Sequence, residues 1–176
     1  VSEKLPSREQ ALRLLREHQC STEVISHCEA VTKLALETAN ALKERGLKID
    51  SELVEIGALL HDIGRSKTHT VHHAVVGAEI AKSAGLPESV VSIIKRHVGG
   101  GITASEAKKL GWPEDVYAPV TLEEKVVSYA DKLIENSKRA PVERTIEKLS
   151  KELKAEAAER VRKLYDEISN LIGDAP

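Results

Sequence analysis

Along this chain the apolar residues return every three or four positions, and no window alternates apolar and polar over several residues. The pattern is clearest where Val24, Ile25, Cys28, Val31, Leu34, Ala35 and Leu42 share one helical face and Gly46 closes the run. Such spacing puts side chains on one stripe of an α-helix, whereas a half-buried strand needs alternation. Phe is absent and aromatics amount to 2%. Leu, Ile, Val and Ala must therefore fill the core, which suits helices packed through aliphatic ridges. At 176 residues the chain can bury a sizeable core in one domain. The expectation is an all-α, single-domain protein over residues 1–176.

Capping residues punctuate the helices. Ser7 with Gln10 is a capping-box signature that opens a first helix to about His18. Ser21 or Thr22 opens the second, which carries His27 on its apolar face, and Asp50 or Ser51 caps the third. That third helix holds Leu53, Val54, Ile56, Leu59 and Leu60, with His61 and Asp62 in its last turn and Gly64 beyond as a stop. A fourth begins near His69 to His72, and a fifth follows Pro87 and ends at His97, before three glycines. Thr103 with Glu106 caps a short helix, and Thr121 with Glu124 opens LEEKVVSYADKLIEN, which places Asp131 in mid-helix. After Pro141, apolar Val142, Ile146, Leu149, Leu153, Val161, Leu164 and Ile168 mark one long helix, or two with a break near Ser150 to Ala155.

Charge narrows the function. A net charge of −2 and a pI near 6.4 disfavour a nucleic-acid polymer or an anionic membrane as partner, since both need a basic face. A small anionic substrate needs only local positive charge. Cys20 and Cys28 are too few and wrongly spaced for a disulfide framework or a CxxC knuckle, so structural thiols in a reducing compartment are expected. The charged start VSEKLPSREQ has no apolar leader, and no segment reaches membrane-spanning length, which points to the cytoplasm. A charged fraction of 31% without Met leans toward a thermophilic source. Assembly into a homo-oligomer is left open.

Several polar residues do not fit ordinary amphipathic helices: His27, the pair His61-Asp62, His73, His97, and Asp131 within VVSYADKLI. A carboxylate among Val126, Val127, Leu133 and Ile134 is costly to bury unpaired, and a cation would offset that cost. Imidazoles with carboxylates suit a divalent Fe, Mn, Co, Ni or Zn ion. Neighbouring residues on a helix point about 100° apart, so His61 and Asp62 can share an ion only across a helix end.

The ordered set His27, His61-Asp62 and Asp131 resembles the H…HD…D pattern of the HD-domain superfamily of metal-dependent phosphohydrolases. HDIGR, from His61 to Arg65, is similar to that superfamily's HDIG signature, with Arg65 where Lys is commoner. HAVVGAEIA from His73 resembles the H-x-x-x-G-A segment of its two-metal subfamilies. IIKRH, ending in His97, is similar to the next ligand segment and ADKL to the last. The resemblance covers about residues 21–137 and leaves a C-terminal helical segment, about 141–172, outside it. It implies the family's helical bundle with that segment as an extension. It also implies one metal held by His27, His61, Asp62 and Asp131, and a second by Asp62, His73 and His97, with Asp62 shared.

Phosphoester hydrolysis suits this equipment. Two ions about 3.5–4 Å apart can activate a bridging hydroxide and stabilise the attacking and leaving oxygens, with no covalent protein nucleophile. Arg65 can meet phosphate with a bidentate fork, and Lys132 is a second candidate. Both are catalytic candidates with Asp62, set against plain surface charge. His69 could touch substrate or be a first-turn surface residue. His72 and His73 compete for one ligand role, and the H-x-x-x-G-A resemblance favours His73. Trp112 and Tyr117 could stack on a base or pack over their loop. The expected activity is hydrolysis of a nucleotide or nucleotide-like small phosphoester, mono- or diester. The alternative is a non-catalytic, metal-stabilised module that binds a phosphorylated ligand.

Overall fold

A computed structural model describes residues 4–152 and 154–173. Nine helices carry the chain among these residues: α1 (Arg8–Glu17), α2 (Thr22–Glu44), α3 (Ser51–Leu60), α4 (His73–Ser83), α5 (Glu88–Lys95), α6 (Ala104–Lys109), α7 (Leu122–Asp131), α8 (Val142–Glu152) and α9 (Ala155–Ile172). The all-α expectation holds, and so do the caps. Ser7, Thr103 and Thr121 close reciprocal capping boxes with Gln10, Glu106 and Glu124, while Ser21 and Asp50 cap α2 and α3. Gly46 leaves α2 with φ +83°, a left-handed stop that glycine adopts without steric cost.

Three boundaries differ from the sequence reading. The third helix ends at Leu60, and Ile63–Ser66 forms a tight 3-10 turn, so Asp62 lies between two elements. The fifth ends at Lys95, which leaves His97 in the following loop. The seventh stops at Asp131, the last helical residue instead of a mid-helix one. Beyond it, Ile134–Glu135 (β1) pairs antiparallel with Lys138–Arg139 (β2) around Asn136 and Ser137, both at positive φ. At the C-terminal end two helices form, with the break where expected; Leu153 lies outside the described residues.

The central position of α3 explains how the site is placed. It gives Val54 and Ala58 to a core shared with α2, α7, α8 and α9, and Ile56, Leu59 and Leu60 to a second core shared with α1, α4 and α5. Buried on both sides, it delivers His61 and Asp62 into the interior. Gly57 makes this possible on one face, since any Cβ there would strike the Ile93 side chain of α5. The C-terminal helices are no loose extension, because Val142, Val161, Leu164 and Ile168 sit in the same core as Val31 and Val127.

Candidate metal centre

Six side chains converge from five parts of the chain. His27 comes from the second turn of α2, His61-Asp62 from the end of α3, His73 from the first residue of α4, His97 from the loop after α5, and Asp131 from the end of α7. Their donor atoms form two groups close enough to hold an ion each: His27, His61, Asp62 and Asp131, and then Asp62, His73 and His97.

Asp62 joins the groups with one oxygen apiece. Its Oδ2 lies 3.4 Å from His27 Nε2 and 3.5 Å from His61 Nε2. Its Oδ1 lies 3.2 Å from both His73 Nε2 and His97 Nε2. Asp131 completes the first group, with Oδ1 2.9 Å from His27 Nε2 and 3.3 Å from His61 Nε2.

Two glycines bring the groups together. A Cβ on Gly64 would fall onto the His73 carbonyl and the Gly77 amide, and one on Gly77 would meet Ile94 and the Gly64 backbone. The turn after Asp62 therefore lies directly against α4. Gly64 serves as this contact rather than as the left-handed stop expected from the sequence. Two of the three glycines after His97, Gly100 and Gly101, are packed as well. A Cβ on Gly100 would enter the α9 backbone at Arg160, whose Nε donates to the Gly101 carbonyl at 2.9 Å.

The histidine tautomers follow from backbone partners. The Nδ1 atoms of His61, His73 and His97 lie 2.6, 2.7 and 2.6 Å from the carbonyls of Ala58, Thr70 and Ile94, each three residues earlier. A carbonyl only accepts, so each Nδ1 carries the hydrogen and each neutral ring turns an Nε2 lone pair inward. His73 Nε2 and His97 Nε2 then face each other at 3.0 Å. Beside them Asp62 Oδ1 is buried without a hydrogen-bond partner. Two lone pairs and a carboxylate oxygen in one dry space repel unless a cation lies among them, so the donor set fits a metal.

Both carboxylates stay ionised in this space, and the imidazoles divide. Burial opposes ionisation of Asp62, but His61, His73 and His97 outweigh it and hold the carboxyl well below its usual range. Burial likewise opposes charge on Asp131, and Lys132, His27 and His61 keep it ionised. His61 is disfavoured as a cation by burial, yet Asp62 and its other neighbours lift it well above the usual value. His97 goes the other way: burial first, and then the adjacent His61 and His73, bring it down to about 4.

The remaining candidates separate clearly. Arg65 Nε lies 3.2 Å from Asp62 Oδ2, while one Nη donates to the His69 carbonyl at 3.1 Å. His69 itself is exposed. His72 is also exposed and stays out of both groups, its Nδ1 accepting from Trp112 Nε1 at 2.8 Å. Trp112 and Tyr117 pack under their loop with Ala74, Val98 and Ile102. Lys132 is buried, with Nζ 2.7 Å from Asp131 Oδ2 and 2.8 Å from the His97 carbonyl. No sequence motif marks Ser128. Its Oγ reaches the carbonyls of His97 and Gly99, and nothing short of the folded chain announces such a contact.

Known proteins resemble this chain in sequence and in fold. The family model described as HD domain matches residues 24–136. Over 166 residues the chain is 47% identical to Uncharacterized protein MJ0778 of Methanocaldococcus jannaschii, spanning 93% of this chain and 98% of that one. It is 38% identical over 169 residues to the tRNA (cytidine(56)-2'-O)-methyltransferase of Picrophilus torridus, spanning 96% of this chain and 48% of that protein. The chain thus covers about half the length of that relative. Among solved structures, the HD domain of the L. monocytogenes phosphodiesterase PgpH in complex with cyclic-di-AMP is alike in fold. Its TM-score is 0.57 at 18% identity, covering 92% of this chain and 96% of that one. By the matched family model and the near-full-length relative, the chain belongs to the HD-domain family of metal-dependent phosphohydrolases.

Proposed function

We propose that this chain hydrolyses a nucleotide or nucleotide-like small phosphoester, mono- or diester, with two divalent ions per chain drawn from Fe, Mn, Co, Ni or Zn. The observation that carries the reading is the Asp62 carboxylate, which turns one oxygen to each ligand group. When bound, such ions activate a water and neutralise charge on the phosphoryl oxygens. His27, His61 and Asp131 would hold one ion and His73 and His97 the other, with Asp62 between them.

The rest of the site orients the substrate. The His27 side chain is 22% exposed and that of Asp131 16%, against 2% for His97, so the first group opens to solvent and receives the ester. Arg65 stands at that opening with N–H groups beyond those on Asp62 and His69, enough to grip a phosphoryl oxygen. Exposed His69 lies at the same edge, and Lys132 has one N–H beyond its two contacts. A cyclic dinucleotide is among the candidates because the PgpH HD domain was captured with cyclic-di-AMP. The net charge of −2 weighs against a polymer. We read residues 1–176 as a single domain in which the C-terminal helices support the motif core. Cys28 is buried as a free thiol, which supports a reducing cytoplasm.

The test is a panel of cyclic dinucleotides, nucleoside monophosphates, dinucleoside polyphosphates and a short RNA. Each is offered to protein loaded separately with Mn, Fe, Co, Ni, Zn or Mg. Metal-dependent turnover of a small nucleotide ester is expected. Binding without turnover under every metal would make the chain a ligand-binding module, and cleavage of RNA alone would overturn the small-substrate reading.

A further inference from the structure

We propose that Lys132 is a positioning residue that fixes both metal positions at once, and that this, not contact with phosphate, is its main function. The inference rests on the two-metal reading of the site and concerns how this chain builds it.

His97 needs an outside support. It lies two residues beyond the end of α5, so no helix sets its backbone. Its ring is tied to Ile94, and its carbonyl is held by two donors, Ser128 Oγ of α7 at 3.2 Å and Lys132 Nζ, from the residue that caps α7, at 2.8 Å. Ser128 and Lys132 are one helical turn apart, so they approach that carbonyl from the same face. The same ammonium lies 2.7 Å from Asp131 Oδ2. With Oδ2 engaged, the carboxylate cannot rotate freely, and Oδ1 stays turned to His27 and His61. One buried cation thus links a ligand of the first group to the backbone of a ligand of the second. Its position past the last residue of α7 also suits the negative end of that helix.

Removing the ammonium would leave Asp131 Oδ2 without this partner in a half-buried place and the His97 carbonyl with Ser128 alone, while Arg65 stays intact. Removing Ser128 Oγ would loosen His97 alone.

The experiment is cobalt titration of metal-free protein, followed by calorimetry and visible absorption, on wild type, Lys132→Met, Lys132→Arg and Ser128→Ala. Melting of each metal-free variant establishes that it folds. Lys132→Met should weaken both bound ions by roughly 10–100-fold, the range for partners that orient metal ligands. Ser128→Ala should weaken only the second ion, and Lys132→Arg should restore part of the first. A folded Lys132→Met protein with wild-type affinity for two ions, and a raised KM alone, would overturn the inference and return Lys132 to phosphate binding. Wild type that binds two ions but hydrolyses no ester would sink the proposed activity and leave the positioning role standing. Wild type that binds no cobalt, nickel or manganese would overturn both.

Discussion

The two ligand groups share Asp62 but are built differently. The first takes His27, His61 and Asp131 from helix bodies or helix ends and keeps some exposure to solvent. The second takes His73 from a helix start and His97 from a loop, and it is nearly closed, at 5% and 2% side-chain exposure. Helix geometry places the first group, so its supports are local. The second depends on distant contacts: Gly64 against α4, and Ser128 and Lys132 against the His97 carbonyl. An open, locally built half can receive substrate, while a sealed half can fix an ion without admitting it.

The largest expected effect removes the element common to both halves. Asp62→Ala should lose both ions and reduce turnover to that of metal in buffer, with the helical circular dichroism unchanged. Metal analysis and activity on the same sample check it, and full turnover by a folded, loaded variant would end the site assignment.

Arg65 separates the open half from the closed one. Arg65→Ala removes charge-assisted hydrogen bonds worth about 1.5–3 kcal/mol, or roughly 10–100-fold in kcat/KM. At saturating metal the ion content should be unchanged, because a guanidinium cannot ligate a cation, although losing its 3.2 Å contact with Asp62 Oδ2 should weaken ion affinity. Lysine at this position should recover part of the rate without the bidentate fork. A rise in KM alone would mean ground-state binding, and equal losses in kcat and kcat/KM would mean stabilisation of transition-state charge. Unchanged kinetics would reduce Arg65 to a partner of Asp62 and His69.

A third variant tests the junction. Gly64→Ala drives a methyl into the His73 backbone carbonyl, so the turn or α4 must shift, and it should cost about 3 kcal/mol of stability or more, above ordinary overpacking. The second ion should weaken more than the first. Denaturant unfolding with parallel metal titration measures both, and equal weakening of the two ions would show that Gly64 does not serve the second half in particular.

The same contrast decides what could be read from sequence. Capping boxes at Ser7, Thr103 and Thr121 were legible because their partners lie three residues away. The helical face of His27 was legible for the same reason, since periodicity is local. IIKRH continues the helical pattern to His97, yet the helix stops two residues earlier. KLIEN reads as helix by composition, but Asn136 and Ser137 adopt positive φ and turn the chain into a hairpin. An ammonium beside Asp131 reads from sequence as a phosphate contact, and the positioning role proposed for Lys132 rests on a contact that sequence does not carry. Its partner, the His97 carbonyl, is 35 residues away and belongs to the backbone, which no side-chain motif encodes.

The central claim is that one carboxylate holds two ions in unlike surroundings. Manganese titration followed by electron paramagnetic resonance tests it most directly, comparing wild type with His73→Ala. Two ions per chain are expected in wild type, with exchange coupling between them through Asp62. In His73→Ala a single, magnetically isolated ion should remain in the open half. One isolated manganese in wild type, unaltered by His73→Ala, would contradict the shared-carboxylate centre.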